Sequence, residues 1–496
     1  MTQPAPGAVR IASATGRWIL LSSVLGSAMA LLDSTVVNVA LPHIGDEFDA
    51  DFGVLQWTSN AYLLTLSAFI LLGGALSDRF GRRRIFVVGT VWFALASLLC
   101  GLAPDAEVLV AARALQGVGG ALLTPGSLAL IQAGFHPDDR ARAVGIWSGL
   151  GGVGAAVGPF LGGWLVDGPG WRWVFLLNLP LAAICVPVAL RHVPESRAAG
   201  RHEGFDVAGA ALGALTLALF TYALISEDWP TGVLGLAAGV LFVLTERRHR
   251  APMLPLDVFS SRVFTSVNVV TLLVYAAFGG FFFLIALHLQ LVSGYTALAA
   301  GTALLPTTLL MLLLSGRSAA LGERIGPRLP LTTGCLLAAA GMLLVRRTGR
   351  DADYLTDVLP GLVALGLGMV ALVAPLTATV LGSVAQDRAG IASGVNNAVA
   401  RAAGLIAVAA LPLLTGMRPD TYRDPGDFDA AFTRALLWCA LLLAAAAALS
   451  FTLLRTARDP RTPAARPACR THCAVTAPPL NPGHQERDPG PRPPAN

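Results

Sequence analysis

The sequence predicts an all-α membrane protein, on the evidence of its charge content, its long apolar runs and the charge pattern of its loops. The chain has 496 residues, of which 54% are hydrophobic and only 13% are charged. A soluble domain carries about 25% charged residues, so this chain has too few charges to cover a surface that faces water. Its mean hydropathy of +0.65 points the same way.

The apolar runs account for most of the chain and predict fourteen transmembrane helices. A helix needs about 20 apolar residues to cross the hydrocarbon core, and all of the runs except 232–245 approach that length. The runs comprise residues 18–41, 54–76, 85–103, 108–133, 143–166, 173–190, 207–225, 232–245, 264–291, 298–320, 331–345, 358–381, 391–414 and 432–454.

The loops between the runs predict the orientation of the chain. Loops that follow even-numbered runs are rich in arginine, as in segment 78–84, whereas the first odd-numbered loops, at 46–51 and 105–107, are acidic. The arginines at 346–350 are the exception. Because arginine-rich loops remain in the cytoplasm, both termini are predicted to be cytoplasmic.

Asp33 is the only acidic residue inside the first run, and no other carboxylate lies deep within an apolar run. A charge at that depth costs roughly 2.5–3.5 kcal/mol, so it is a candidate functional group by default. A structural aspartate that is hydrogen-bonded to a neighbouring helix is the alternative. Asp33 therefore needs a partner under either interpretation.

Arg113 in the fourth run is a second charge that lies at a depth similar to that of Asp33. It lies six residues beyond Glu107, roughly 9 Å from the outer face, and Asp33 lies nine residues before Pro42, roughly 13 Å from the same face. Two charges at similar depth either form a static buried ion pair or line a hydrated pathway. The matching depths favour the pathway.

The fifth run contains a stripe of small residues that predicts close helix packing. Gly154, Gly158 and Gly162 recur every four residues and so share one face of a helix, which allows another helix to approach. Pro159 removes a backbone hydrogen bond and favours a kink, as a hinge would require. Plain tight packing is the alternative.

The charged segment that ends the second run has a weak copy in the second half of the chain. The pattern at 76–83 recurs at 321–328, which indicates parallel halves of the kind found in transporters. The segment is either a topology anchor or a charge clasp between the halves. Its residues of interest are Gly74, Asp78, Arg79, Gly81, Arg82 and Arg83.

Taken together, these segments resemble the major facilitator superfamily, specifically its fourteen-helix drug:proton antiporter branch. The resemblance rests on segments 32–42, 74–83, 109–121 and 154–163, with support from 171–180, 289–295 and 366–394. There are two departures: Arg401 is followed by alanine rather than a polar residue, and His288 stands where an aromatic residue is common.

The resemblance implies a major facilitator fold, with two six-helix bundles and two additional central transmembrane helices. The expected divisions are a cytoplasmic tail at 1–17, an N-terminal bundle at 18–190, two extra helices with linkers at 191–262, a C-terminal bundle at 263–455 and a disordered cytoplasmic tail at 456–496. The substrate site is expected between the bundles, open to one side of the membrane at a time.

The resemblance also implies roles for individual residues. Asp33 would carry the proton, Arg113 would modulate its protonation and Gln116 would line the route. The charged segment and the glycine stripe with Pro159 would gate the conformational change. The candidates for substrate binding are Asn38, Tyr62, Phe278, Phe281, Phe282 and Asn396.

The expected function is proton-coupled export of drugs or amphiphilic secondary metabolites from a bacterial cell by a monomer in the plasma membrane, without cofactor or metal. A proton-coupled uptake carrier and a non-transporting membrane sensor are the alternatives. The arginines form short clusters between apolar runs rather than one basic face, which argues against nucleic acid as a partner. No nucleophile–base set suggests an enzyme, and the spacing of Cys469 and Cys473 fits no standard zinc pattern.

Overall fold

The structure is a computed structural model that describes residues 9–197, 206–249, 252, 254–384, 388–418 and 421–454. The predictions for the tail at 456–496, including Cys469 and Cys473, lie outside the described residues. The described part of the chain is almost entirely helical. An isolated bridge between Val9 and Phe135 is its strand-like pairing.

Sixteen α-helices occupy the described residues. They are α1 (Ala14–Glu47), α2 (Phe52–Phe80), α3 (Arg82–Gly101), α4 (Ala106–Gly134), α5 (Pro137–Asp167), α6 (Arg172–Leu176), α7 (Asn178–His192), α8 (Val207–Ile225), α9 (Trp229–Arg248), α10 (Arg262–Leu291), α11 (Ala297–Ala303), α12 (Leu305–Ile325), α13 (Arg328–Val345), α14 (Leu359–Gly382), α15 (Ala389–Thr415) and α16 (Pro425–Leu453).

These helices correspond to the fourteen predicted runs, because α6 continues into α7 and α11 into α12 as one apolar segment each. Among the described residues, twelve segments are long and apolar enough to cross a membrane. A thirteenth is α2, if its two parts, which are bent by 50° between Ile70 and Leu72, form one span. Helix α5, with 31 residues, occupies the remaining predicted run. The chain is therefore a multi-pass membrane protein.

Short polar residues at the loops set the helix boundaries. The side chains of Ser13, Asp51 and Asp105 each accept a hydrogen bond from the backbone two or three residues into the next helix. Such caps satisfy N–H groups that have no partner within the helix. Gly81, with φ of +113°, makes the tight turn between α2 and α3.

The helices pack as two groups with α8 and α9 beside them. In the first group α1 packs on α4, α5 and α7, and α4 packs on α2 and α3. In the second group α10 packs on α15 and α16, α13 on α14 and α16, and α12 on α14. Helix α8 pairs with α9 and also touches α2 and α15, which belong to different groups. The exact bundle boundaries that the sequence predicted stay a prediction.

Candidate functional site

The carboxylate of Asp33 lies at the centre of a buried polar cluster formed by α1, α3, α4 and α7. Its Oδ2 accepts a hydrogen bond from Arg113 Nη1 at 2.5 Å. Its Oδ1 accepts from Gln116 Nε2 at 2.6 Å and from Asn178 Nδ2 at 3.2 Å. The structure thus places the two charges in direct contact, and Gln116 contacts both of them.

The guanidinium of Arg113 is equally well satisfied. Its Nη1 also donates to Gln116 Oε1 at 2.6 Å, and its Nε donates to the carbonyl of Thr58 at 3.0 Å. The face of the guanidinium lies 4.4 Å from the ring centroid of Tyr62, a separation at which a cation–π interaction is favourable. Hydrogen bonds on several sides are what make a buried ion pair tolerable.

Asn178 and Ser97 belong to this cluster, although sequence reasoning assigned neither of them a role. Ser97 Oγ accepts from Gln116 Nε2 at 2.7 Å and from Asn178 Nδ2 at 3.1 Å. Both are polar residues within apolar runs, and that was the available signal. Ser97 thus links the side-chain amides of Gln116 and Asn178, both of which donate to the Asp33 carboxylate.

In this conformation Asp33 and Arg113 form a closed pair. Each residue is 1% exposed. Arg113 borders the central cavity described below, and Asp33 does not. The two charges therefore form a buried pair in this conformation, with Arg113 at the wall of the cavity.

The central cavity lies between the two groups of helices and has a volume of about 430 Å³. This volume is within the range of sites for drug-sized molecules. Residues of α1, α2 and α4 line it on one side and residues of α10, α14 and α15 on the other. Five of the six predicted substrate residues border it: Asn38, Tyr62, Phe278, Phe282 and Asn396. The cavity is thus the candidate substrate site.

Phe281 differs from the other five, because the structure places it away from the cavity. It is 0% exposed within the hydrophobic core, and its ring centroid lies 5.3 Å from that of Phe282. Three consecutive phenylalanines cover more than half a turn of a helix, so they cannot all face one side. On the same helix Tyr275 and Phe283 border the cavity instead.

The two departures from the family pattern lie in different places. Arg401 of α15 borders the cavity, where sequence reasoning assigned it no role. His288 is fully buried away from it, with Nε2 2.8 Å from Asp429 Oδ1 and the ring stacked on Phe432 at 4.0 Å. Of these two, only Arg401 can meet a substrate in this conformation.

The glycine stripe of α5 packs directly on α1. A Cβ atom at Gly154 would lie 3.5 Å from that of Ala28, in ordinary contact, whereas one at Gly162 would lie 2.7 Å from Val36 Cγ1. A Cβ at Gly158 would overlap Thr35 Oγ1. The predicted close approach is therefore present, and its partner is the helix that carries Asp33.

The two groups of helices meet tightly at one end of the molecule. We define the outer end as the end with the α1–α2 connection, and the inner end as the end with the α2–α3 connection. At the outer end, Asp167 of α5 accepts hydrogen bonds from the backbone of Ala297 and Leu298, at 3.2 and 2.8 Å. Asp49 pairs with Arg423 at 2.6 Å. These contacts close the outer end of the cavity.

Within the part of the chain that the structure describes, the charged side chains of the predicted gating segment form ion pairs only inside the first group. Asp78 pairs with Arg82 at 2.8 Å, and Glu195 pairs with Arg83 at 3.7 Å, both within the first group. Arg79 lies over the ring of Phe80, and a Cβ at Gly74 would be 3.8 Å from Pro125. The cavity extends towards this end, since the exposed residues Thr377, Leu381 and Asn397 border it near the inner ends of α14 and α15.

Membrane-length helices in two groups, with a cavity between them that is closed at one end, define the protein as a membrane transporter by architecture. Comparison with known proteins then gives the family. The model of the Major Facilitator Superfamily matches residues 23–408. The chain belongs to this superfamily.

Proteins named for antibiotic resistance or transport are among the relatives of the chain. The chain is 36% identical to the puromycin resistance protein pur8 of Streptomyces alboniger, over 90% of this chain and 92% of that protein. It is 36% identical to the probable actinorhodin transporter of Streptomyces coelicolor, over 80% and 72%. It is 34% identical to the tetracenomycin C resistance and export protein of Streptomyces glaucescens, over 80% and 76%.

Solved structures share the fold. A bacterial homologue of the human lysosomal transporter Spinster, in an inward-facing and unoccupied conformation, has a TM-score of 0.65 at 18% identity, with 90% of this chain and 98% of that chain covered. A proton-dependent oligopeptide transporter has a TM-score of 0.67 at 15% identity, with 88% and 98% covered. At these identities the likeness concerns the fold alone.

Proposed function

We propose that this protein exports drugs or amphiphilic secondary metabolites in exchange for protons, by alternating access of a central cavity. The observation that carries the proposal is the buried Asp33–Arg113 pair beside a cavity of about 430 Å³ that is closed at its outer end. The relatives that are named for drug resistance and export support the choice of substrate.

The geometry supports a way to couple protons to conformation. A proton that reaches Asp33 neutralises the carboxylate and removes the counter-ion of Arg113. A buried charge that loses its partner is destabilised by several kcal/mol, so protonation favours a conformation in which this guanidinium reaches water. Because Arg113 already borders the cavity, it can make that move without crossing the protein.

The glycine stripe connects this pair to the outer closure. Helix α5 packs on α1 through Gly158 and Gly162, and its C-terminal end meets α11 of the second group. A shift of α1 upon protonation would therefore be transmitted to the outer contacts. Under this proposal the charged inner segment forms a clasp only after the inner end closes.

The proposal includes orientation and location. The arginine-rich loops at the inner end support cytoplasmic termini, and the bacterial relatives support a plasma membrane. We propose a monomer, because one chain supplies both groups of helices and residues on both sides of the cavity between them. Protons and a small molecule are its transported partners.

The test is dye transport in everted vesicles driven by a pH gradient. Asp33→Asn is expected to reduce proton-driven accumulation of a fluorescent amphiphile about tenfold or more, because an amide cannot exchange a proton at this position. Asp46→Asn, a change at an exposed outer carboxylate, is the matched control. Unchanged transport by Asp33→Asn, with equal protein in the membrane, contradicts the proposal.

The same vesicles distinguish export from uptake. In everted vesicles an exporter accumulates the dye in the lumen when the lumen is acidic, whereas a proton-coupled uptake carrier releases preloaded dye. Flux of that second sign would replace the export proposal with the uptake alternative.

A further inference from the structure

The central cavity contains an arginine that the proton-coupling proposal does not use. Arg401 is partly buried on α15 and borders the cavity. Its Nε is buried and has no hydrogen-bond partner. Within the described residues, Arg401 takes part in none of the ion pairs.

The charges around the cavity do not balance. Two arginines border it, and Asp33 neutralises Arg113. No aspartate or glutamate is among the described residues that line the cavity. The wall therefore carries one positive charge that no protein carboxylate compensates, in a site where low polarity strengthens charge interactions.

The position of Arg401 is fixed by the crossing of α10 and α15. A Cβ at Gly279 would lie only 2.6 Å from Gly404 Cα, so the two backbones touch less than one turn from Arg401. Such a crossing fixes the backbone position from which the Arg401 side chain reaches the cavity wall. Nearby lining residues are aromatic, including Tyr62, Tyr275 and Phe278.

We propose that Arg401 is the recognition site for an anionic group, and that the transported compounds are amphiphiles with an aromatic body and a carboxylate. A guanidinium binds a carboxylate through two parallel hydrogen bonds. The aromatic side chains accommodate the body of the compound, and the anion supplies the missing counter-charge. This inference names the substrate class of the proposed export function and rests on it.

Three probes with the same aromatic body test the inference: 1-pyrenebutyrate, its methyl ester and 1-pyrenebutylamine. Binding to the full-length protein in lipid nanodiscs is measured by energy transfer from tryptophan to pyrene, without a proton gradient. The wild-type protein is expected to bind the carboxylate about tenfold more tightly than the ester, the difference that a charge-assisted hydrogen bond provides. Equal binding of the two, or a preference for the amine, overturns the inference.

Substitutions then assign the preference to one side chain. Arg401→Gln is expected to weaken carboxylate binding about tenfold, on the same basis, and to leave ester binding within about twofold. Arg401→Lys is expected to retain part of the preference. Arg347→Gln, which removes an equal charge from an exposed position, is expected to change neither affinity. If Arg401→Gln weakens binding of the carboxylate and of the ester equally, and Arg401→Lys shows no preference for the carboxylate, then Arg401 has a packing role and the inference is overturned.

The two proposals fail separately. Asp33→Asn is expected to retain the preference for the carboxylate while it loses proton-driven transport. If wild-type transport is proton-driven but the three probes bind equally, the export function stands and the anion site does not. If the preference is present but no probe moves with a proton gradient, the anion site stands and the export function does not.

Discussion

Replacement of Gly163 by alanine should open the outer end of the cavity. Gly163 of α5 lies against the first turn of α11, which belongs to the other group of helices. A Cβ atom at this position would be 2.5 Å from Leu298 Cα and 2.7 Å from Ala297 C, whereas carbon atoms in contact are about 3.5–4.0 Å apart. The two helices must therefore separate by about 1 Å to accommodate the methyl group.

The free-energy cost of the added methyl group applies only to the conformation in which the outer end is closed. An extra methyl group in a packed interface costs about 1–3 kcal/mol. The backbone of α11 cannot easily retreat, because Asp167 of α5 binds its first two amides. In a conformation with a separated outer end the cost disappears, so the ratio of outward-open to outward-closed molecules should rise about 5–150-fold.

Hydrogen exchange of the amides of Ala297 and Leu298 measures this shift, since Asp167 holds both of them only while the outer end is closed. Exchange is expected to be faster in Gly163→Ala. The matched control is Gly154→Ala, on the same helix, where the added methyl group would make an ordinary 3.5 Å contact with Ala28. If the two variants exchange alike at α11, the close contact does not control the outer closure.

Three further outcomes are expected. Asp167→Ala removes two hydrogen bonds from the start of α11, so the amides of Ala297 and Leu298 should exchange faster than in the wild type; unchanged exchange contradicts this. Glu246→Gln should raise the melting temperature at pH 8. Glu246 Oε1 and Asp206 Oδ2 are both buried without a hydrogen-bond donor, and the new amide N–H would supply that donor, a hydrogen bond worth about 1–3 kcal/mol. A lower melting temperature would contradict this prediction. Gln116→Leu should lower thermal stability by about 1–3 kcal/mol, since Asp33 Oδ1 loses its shortest hydrogen bond; a melting temperature equal to that of the wild type would show that the bond contributes little.

The sequence indicated that Asp33 and Arg113 lie at a similar depth, although it favoured a hydrated pathway over an ion pair, because charges within hydrocarbon either pair or line water. Asp33 and Arg113 were placed at similar depth by counting residues along two helices, and the structure joins them at 2.5 Å. Counting gives depth but not direction around the helix. For that reason the sequence did not decide whether the carboxylate faces a cavity, and the structure buries it beside the cavity instead.

Residues with ordinary local surroundings were harder to find. Asn178 and Ser97 are single polar residues in apolar runs, and only the packing of α3, α4 and α7 brings them to the carboxylate. Arg401 was noted only because alanine follows it where the family has a polar residue. Its lack of a hydrogen-bond partner at Nε depends on the space around it, which the sequence does not show. Phe281 was predicted to bind substrate because it has the same side chain as its neighbour Phe282, but the structure buries it away from the cavity.

By itself the sequence determined the membrane class, the helical segments and the similar depth of two buried charges, because the cost of polar groups in hydrocarbon acts on each segment separately. The tertiary structure decided which end of the cavity is closed, which side chains border it and which charge lacks a counter-ion. Those features depend on distances between helices that are far apart in the chain, such as α5 with α11 and α10 with α15. Helix packing sets these distances, and no local pattern of residues encodes them.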